Sequence, residues 1–386
     1  MVAPSPAAAR SIGLRHSRDD EPGILRRRSG DEWAFETSDG QAVTDEAVVS
    51  RIVALAIPPA WTSVWICADD RGHLQATGRD ARGRKQYRYH RAFRAHREAA
   101  KFEELIAFGR ALPKIRERVE SDLRLPGLSR EKVLAACVRV LDLTLVRVGN
   151  EEYARANRSF GLTTLRDRHA KIEGGRVRFR FRGKSGKVHE VGIRDRRLAS
   201  IIKRCQDLPG QDLFQYVDDD GLTRDVASDD VNDYLREIAG PDVSAKMFRT
   251  WSATVLAGRA LTAFRDEETG RATKRHVVEA MKEVADRLGN TPTVARNSYV
   301  HPAVLDAYLD GSLGNALVTA AEDEGRHGAA EPSRAEEEAV IELLRKRLAE
   351  ERRRSKAGRG RPVGKAGRAA GDRAGRGSRS ARTRGD

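Results

Sequence analysis

The sequence predicts an α+β fold: a small β-rich N-terminal domain, then a larger, mainly helical domain, then a disordered basic C-terminal tail. Three observations carry this. Residues 19–95 hold short apolar runs broken by turn residues. Residues 96–315 repeat apolar side chains at helical spacing, with capping signals at their ends. Residues 352–386 are rich in Arg, Gly, Ala and Ser and hold almost no apolar side chain large enough to pack, so they cannot offset their ordering entropy.

Taken in order, residues 1–18 read as a loose tail. Trp33-Ala34-Phe35 before Ser38-Asp39-Gly40 reads as strand and turn. Val48, Ile52, Val53, Leu55 and Ala56 suggest a short helix stopped by Pro58-Pro59. Val64 to Cys67, the turn Asp69-Asp70-Arg71-Gly72 and His73 to Thr77 read as a hairpin. Ser129 can cap a helix through Val133, Leu134, Cys137, Val140, Leu141 and Leu145, with Gly149 placed to end it. Arg176 to Arg182 alternates strictly, with Val177, Phe179 and Phe181 on one face and four arginines on the other. Gly183-Lys184-Ser185-Gly186 then turns the chain into a return strand through Val188, Val191 and Ile193. A further helix runs through Val277, Met281, Val284 and Leu288 to Gly289. Residues 316–351 read as a linker containing a helix over 333–351, acidic early and basic late as the helix dipole favours.

The net charge of +15 points to a polyanionic partner, either nucleic acid or an anionic membrane surface. Residues 352–386 carry 13 Lys/Arg against 2 Asp, leaving only +4 for the other 351 residues. The charge total therefore cannot by itself assign DNA binding to the folded body. Cys67, Cys137 and Cys205 have no C-x-x-C spacing, so neither a disulfide framework nor a zinc site follows. No apolar run approaches the roughly 20 residues that span a bilayer. No secretory h-region is evident, and the expectation is a soluble cytoplasmic protein. A phosphate loop of the G-x-x-x-x-G-K-[ST] type is missing, and the histidines lack ligand spacing. Asp218-Asp219-Asp220 sits in a polar turn. Metal- and ATP-driven chemistry are disfavoured, and no cofactor is expected.

Five features could carry chemistry, and each has a plainer alternative. Tyr299 follows a short helix capped by Thr291 and Pro292, where it could equally be a core tyrosine. Arg249 opens a helix of small residues, or makes a surface salt bridge. Arg147 has apolar flanks, so it is either partly buried beside an anion or a cap on helix carbonyls. Lys184 stands at the hairpin tip, where a solvated turn lysine is the plainer choice. The stretch from Arg79 to Arg97 interleaves arginines with Lys85, Gln86, Tyr87, Tyr89 and Phe93, which suits phosphate and base contact or a solvated face.

Together these segments resemble the poxvirus-like type IB DNA topoisomerase family, in its bacterial form, over about residues 19–315. The resemblance runs collinearly through Asp20 to Ile24, Ile57 to Trp61, Gly72 to Gly78, Gly83 to Tyr87, Arg147 to Tyr153, Phe181 to Gly186, Lys246 to Trp251 and Thr291 to Pro302. It implies a tyrosine-recombinase/topoisomerase IB-like catalytic domain over 96–315, clamped on duplex DNA by the 19–95 domain. It implies Tyr299 as nucleophile, with Arg147, Lys184 and Arg249 completing the catalytic set. Asn290 fills a supporting position often held by histidine; it can still donate a hydrogen bond but holds no charge. Arg84, Lys85, Gln86, Tyr87, Tyr89, Tyr153 and Lys246 are the implied DNA contacts. Asn150 and Glu152 stand where the viral enzymes carry lysines near the DNA, which weakens any transfer of the viral preference for a short pyrimidine-rich target.

The residue types suit phosphoryl transfer. Forked guanidinium donors can hold the charge that gathers on non-bridging oxygens. A 5′ alkoxide leaves poorly unless an acid protonates it, the role implied for Lys184. A covalent phosphotyrosine conserves the energy of the broken bond, so resealing needs no ATP. The expected partner is double-stranded DNA, bound by a monomer in the nucleoid without an obligatory protein partner. Truncation near residue 330 is expected to leave cleavage intact. Two rivals remain. A tyrosine recombinase usually has histidine where Lys246 stands and a helical N-terminal domain. A non-catalytic nucleoid-binding protein rests only on the tail and the pI.

Overall fold

The computed structural model describes residues 6–30, 32–264, 273–314, 317 and 331–359. After a short helix α1 (Pro6–Arg10), strands β1 (Ile24–Ser29), β2 (Glu32–Thr37), β3 (Thr62–Ile66), β4 (Leu74–Arg79) and β5 (Lys85–Tyr89) form one antiparallel sheet in the order β2-β1-β3-β4-β5. Helix α2 (Glu46–Ala54), capped by the Asp45 carboxylate, covers one face, where Ile24, Ile52, Val64, Ile66 and Ala76 are buried together. The expected strand, short helix and hairpin are all present.

Residues 6–18 correct the expectation of a loose tail. Ala9 and Leu14 pack on Phe93. The Arg15 amide donates to the Arg71 carbonyl at 2.9 Å, and the Arg15 carbonyl accepts from His73 at 2.8 Å. The buried Ser17 hydroxyl donates to the Leu74 carbonyl. A short stretch whose apolar side chains are mostly alanine gives little sequence signal, yet with Leu14 it suffices to cover a phenylalanine.

Helix α3 (Arg91–Asp122) runs through the expected boundary at residue 95 and belongs to both modules, its Phe93 end under the sheet and its Phe108 end in the helical core. The core continues with α4 (Arg130–Thr144), α5 (Glu151–Asn157), the antiparallel sheet of β6 (Ala170–Glu173), β7 (Arg176–Arg182) and β8 (Val188–Arg194), and α6 (Arg196–Gln206). A small ribbon of β9 (Gln215–Val217) and β10 (Thr223–Asp225) precedes α7 (Ser228–Ala239), α8 (Ala245–Thr262), α9 (Lys274–Leu288), α10 (Pro292–Ser298) and α11 (Pro302–Leu309). The last described helix is α12 (Arg334–Arg359). Strand β7 buries Val177, Phe179 and Phe181 and exposes its four arginines, as its alternation requires.

Helix α8 is the central rod. It is buried on nearly every side, and Trp251 at its heart is fully enclosed. Gly109 of α3 is the contact point: a Cβ there would lie 2.4 Å from the Trp251 ring. Phe108 meets Phe248 edge to face at 5.1 Å.

The C-terminal expectation also needs correction. The helix foreseen over 333–351 is present, but it is not a linker. Ser333 and Glu336 form a reciprocal capping box, and Val340 and Leu344 are fully buried. Glu337 is buried, accepts from Trp251 Nε1 at 3.2 Å and pairs with Arg116 at 2.9 Å. Arg116 also holds Asp142 of α4 at 2.8 Å. The helix continues to Arg359, past the expected start of the tail at 352; residues 360–386 lie outside the described residues. Among the described residues no helix is long and apolar enough to cross a membrane, and no cluster of His, Cys, Asp or Glu could hold a metal ion.

Candidate active site

Arg249 lies in the second turn of α8, between the fully buried Phe248 and Trp251, and is itself only 3% exposed. Among the described residues no carboxylate pairs with it, which excludes the surface salt bridge. Its Nη1 donates to the Leu145 carbonyl and its Nη2 to the Leu288 carbonyl at 3.0 Å. Its Nε is buried without a partner. The guanidinium carbon sits 4.8 Å from the centre of the Tyr299 ring. Burial pulls the Arg249 pKa down to about 10, because a cation enclosed with only carbonyls and a phenol is poorly compensated.

The Leu145 carbonyl is available because α4 stops at Thr144, earlier than the glycine at 149 suggests. Leu145 adopts a left-handed backbone at φ 56°, unusual for a leucine, with its side chain buried. The chain then peels away. The Arg147 carbonyl accepts from Leu162 at 2.8 Å and that of Val148 from Thr163 at 2.7 Å. Gly149, at φ 108°, serves this crossing rather than a helix end: a Cβ on the facing Gly161 would lie 2.5 Å from its Cα. Arg147 is thus no cap on its own helix. Its Nη2 donates to Asn290 Oδ1 at 2.7 Å.

Asn290 follows Gly289, whose left-handed φ of 62° ends α9. Because an arginine can only donate, the Arg147 bond fixes the amide with Oδ1 inward and leaves Nδ2 as a donor. That Nδ2 is buried with no partner among the described residues. Thr291 then caps α10 through its hydroxyl and Pro292 takes the first helical position, as foreseen.

Tyr299 closes α10, its amide donating to the Ala295 carbonyl at 3.1 Å. Thr254, further along α8 from Arg249, ties this end down: its hydroxyl accepts from the His301 amide at 3.1 Å and donates to the Thr250 carbonyl of its own helix at 2.7 Å, with the Tyr299 carbonyl 3.4 Å away. Burial acts to raise the Tyr299 pKa, but the charges and hydrogen bonds of Arg249 and Arg147 outweigh it, and the phenol is held below its usual value. Residues from α8, the loop after α4 and the α9–α10 turn therefore converge on one phenol, with two guanidinium groups around it.

More than half of the chain, residues 90–313, matches the family model for the catalytic core of eukaryotic DNA topoisomerase I. The chain belongs to the type IB DNA topoisomerase family. Residues 32–80 of this type IB topoisomerase match the model of the bacterial DNA topoisomerase IB N-terminal domain. DNA topoisomerase 1B of Acanthamoeba polyphaga mimivirus is 34% identical over 293 residues, covering 74% of this chain and 87% of the viral one. DNA topoisomerase I of Monkeypox virus is 20% identical over 235 residues, covering 60% and 72%. DNA topoisomerase 1 of Rabbit fibroma virus is 22% identical over 249 residues, covering 62% and 74%. The N-terminal antiparallel sheet agrees with this family and not with the helical N-terminal domain expected of a recombinase.

The other residues singled out in this topoisomerase lie around that cluster. Lys184 begins the short turn Lys184–Gly186 between β7 and β8 and points to solvent, in no described contact with Tyr299. Its hairpin does reach the site, since Lys187 Nζ donates to the Asn290 carbonyl at 3.4 Å. On edge strand β5, Lys85 pairs with Asp19 at 2.5 Å, while Gln86 and Arg84, the residue just before the strand, both hold Asp80. Tyr87 is exposed and stacks on the half-buried Tyr89 at 6.1 Å. Tyr153 is exposed at the start of α5, beside the capping Asn150, and Lys246 is exposed in the first turn of α8. Sequence reasoning gave no role at the site to Leu145, Thr254, Lys187 or His189, although all four lie on or beside elements it had singled out: the Ser129 helix, the Arg249 helix and the hairpin around Lys184.

Proposed function

We propose that this type IB topoisomerase opens one strand of duplex DNA by attack of Tyr299 Oη on a phosphodiester. The Tyr299 oxygen–phosphorus bond forms, the bond to the 5′ oxygen breaks, and a 3′-phosphotyrosyl ester results. Supercoils relax by rotation about the intact strand. The free 5′ hydroxyl then attacks the ester and restores both the DNA and the phenol. The ester conserves the bond energy, so ATP is not required, and the two guanidinium groups supply the positive charge that a metal ion would otherwise bring to the phosphate.

One observation supports this most strongly: two donors, Arg249 Nε and Asn290 Nδ2, are buried without partners beside a phenol that two arginines hold below its usual pKa. A buried unpaired donor costs about 1–3 kcal/mol. A phosphate lodged against Tyr299 offers both groups an acceptor and gives the guanidinium pair its missing anion. Arg147, Arg249 and Asn290 are assigned to stabilise the phosphorane-like transition state. Lys184 is assigned as the acid that protonates the 5′ oxygen, its flexible stem swinging in from the hairpin end. Duplex DNA is the partner, held between the catalytic module and the N-terminal sheet. Tyr87 and Tyr89 of β5, with Arg84, Lys85 and Gln86, face it from the sheet, and Tyr153 and Lys246 from the catalytic side. The protein acts as a monomer in the nucleoid.

The test is a relaxation reaction without magnesium or ATP, stopped with denaturant. Parent protein should be found joined to DNA through one tyrosine. Tyr299→Phe should bind DNA with parental affinity yet give no adduct and no relaxation. Relaxation by that variant would remove Tyr299 from its role.

A further inference from the structure

His189 is a titratable side chain at the site that the proposed reaction does not use. It is the second residue of β8, opposite Phe181 of β7, and the two rings stack at 5.3 Å with 12° between their planes. On one side of the imidazole lies Gly183, immediately before Lys184: a Cβ there would fall 2.4 Å from His189 Cδ2. On the other side lies Gly289, immediately before Asn290: a Cβ there would fall 2.3 Å from His189 Cε1. Gly289 needs its glycine for a left-handed φ in any case. Gly183 does not. Its φ of −94° and ψ of −168° suit any residue, so what excludes a side chain there is the imidazole alone.

From this geometry we infer that His189 is a positioning residue for strand cleavage, a flat wedge that fixes the hairpin carrying Lys184 against the turn carrying Asn290. The inference rests on the reading of Lys184 as the general acid. A ring in van der Waals contact with the neighbours of both groups sets the distance between them, as a loose hairpin end could not. The Lys187 bond to the Asn290 carbonyl closes the same joint from the other side of the turn. The ring is suited to this place because it stays neutral. Burial, together with Arg147, Arg249 and Lys187, pulls its pKa down to about 4. It therefore adds no charge to compete with the guanidinium groups for phosphate.

The proposal separates from a general structural role by the leaving group. With oxygen, the departing 5′ alkoxide must take a proton. With sulfur at the bridging 5′ position, the thiolate leaves without one, so a misplaced acid ceases to matter. Single-turnover cleavage is measured on both duplexes for the parent, Lys184→Ala, His189→Ala, His189→Phe and Gly183→Ala. Lys184→Ala should lose on the order of 10²–10⁴ on oxygen, the usual worth of a general acid, and recover on sulfur. His189→Ala should lose roughly 10–100-fold on oxygen, a part of that same contribution, and likewise recover on sulfur. His189→Phe, which keeps a flat ring, should stay within about threefold of the parent, as a shape-conserving change allows. Gly183→Ala should repeat the His189→Ala pattern, and the double variant Gly183→Ala/His189→Ala should lose less than the two singles combined, because the collision is gone.

An equal deficit on both leaving groups for His189→Ala, or parental cleavage of the oxygen duplex, overturns the positioning role. Should the alanine variant fail to fold, an equal deficit for Gly183→Ala on the two duplexes does the same. If Lys184→Ala itself is not recovered by sulfur, the reading of Lys184 as acid fails, and the inference about His189 falls with it.

Discussion

A guanidinium that is 3% exposed and bonded to two backbone carbonyls does two jobs at once. It cross-links the ends of α4 and α9, and it holds a positive charge against Tyr299. Lysine could keep the charge but could not bridge both carbonyls and still face the ring. Arg249→Lys should therefore cleave on the order of 10²–10³ more slowly, as for loss of one transition-state donor, and melt several degrees lower. A variant that cleaved slowly but melted like the parent would separate the two jobs. The phenol itself offers a pH test. Both arginines favour the phenolate, so on a duplex with a sulfur leaving group the cleavage rate should climb with pH and level off below 10, the ordinary tyrosine value. Arg249→Lys should move that break upward, since the cation would be less closely held; an unmoved break would mean that another group sets it. The identities of these residues were legible in the sequence through their collinear motifs. Their setting was not. An arginine three residues after Lys246 reads as the solvated start of a helix, and only the enclosure of Phe248 and Trp251 turns it inward. The left-handed Leu145 was hidden too, because Gly149 four residues later is the more obvious helix stop.

Helices carry a site only as well as they are themselves held, and α8 is held by an element that the sequence places outside the catalytic domain. The acidic start and basic finish of α12 made its existence legible. The same acidic run concealed its packing, because Glu336-Glu337-Glu338 looks like a solvated first turn. Glu337 is instead buried against Trp251 and paired with Arg116, 221 residues away along the chain. Long-range ion pairing of this kind leaves no periodicity to read. It has a consequence for truncation. Ending the chain at 330 should not leave cleavage intact, because it uncovers α8 around Trp251 and removes the Glu337 carboxylate that both Trp251 Nε1 and Arg116 hold. Glu337→Ala, which removes one of the two carboxylates that Arg116 holds and the acceptor of Trp251 Nε1, should cost about 1–3 kcal/mol and lower Tm without altering the leaving-group preference. A chain ending at 330 that melts cooperatively at the parental temperature would show that α12 is an accessory after all.

At the scale of the molecule, the division into an antiparallel sheet and a helical body was legible from the change in periodicity near residue 95. The continuity between them was not, because α3 keeps one helix through that change, and residues 6–18 fold back on its first turns. Charge follows a different plan from fold. Residues 360–386 hold 8 Lys/Arg against 2 Asp, +6 of the net +15, and none of the residues of the site. DNA affinity and DNA chemistry should accordingly come apart. Each cation that engages a phosphate steepens the fall of log K with log salt by about 0.9 on duplex DNA. A chain ending at Arg359 keeps all of α12 and every residue of the site. It should cleave at the parental rate once bound, melt at the parental temperature, and show a salt slope that is shallower by up to roughly 0.9 for each engaged cation removed. The decisive comparison is binding at several salt concentrations beside single-turnover cleavage at saturating protein. If the slope is unchanged, the terminal segment does not touch phosphate; if cleavage at saturation falls instead, its role lies in the chemistry, and the division between affinity and catalysis is wrong.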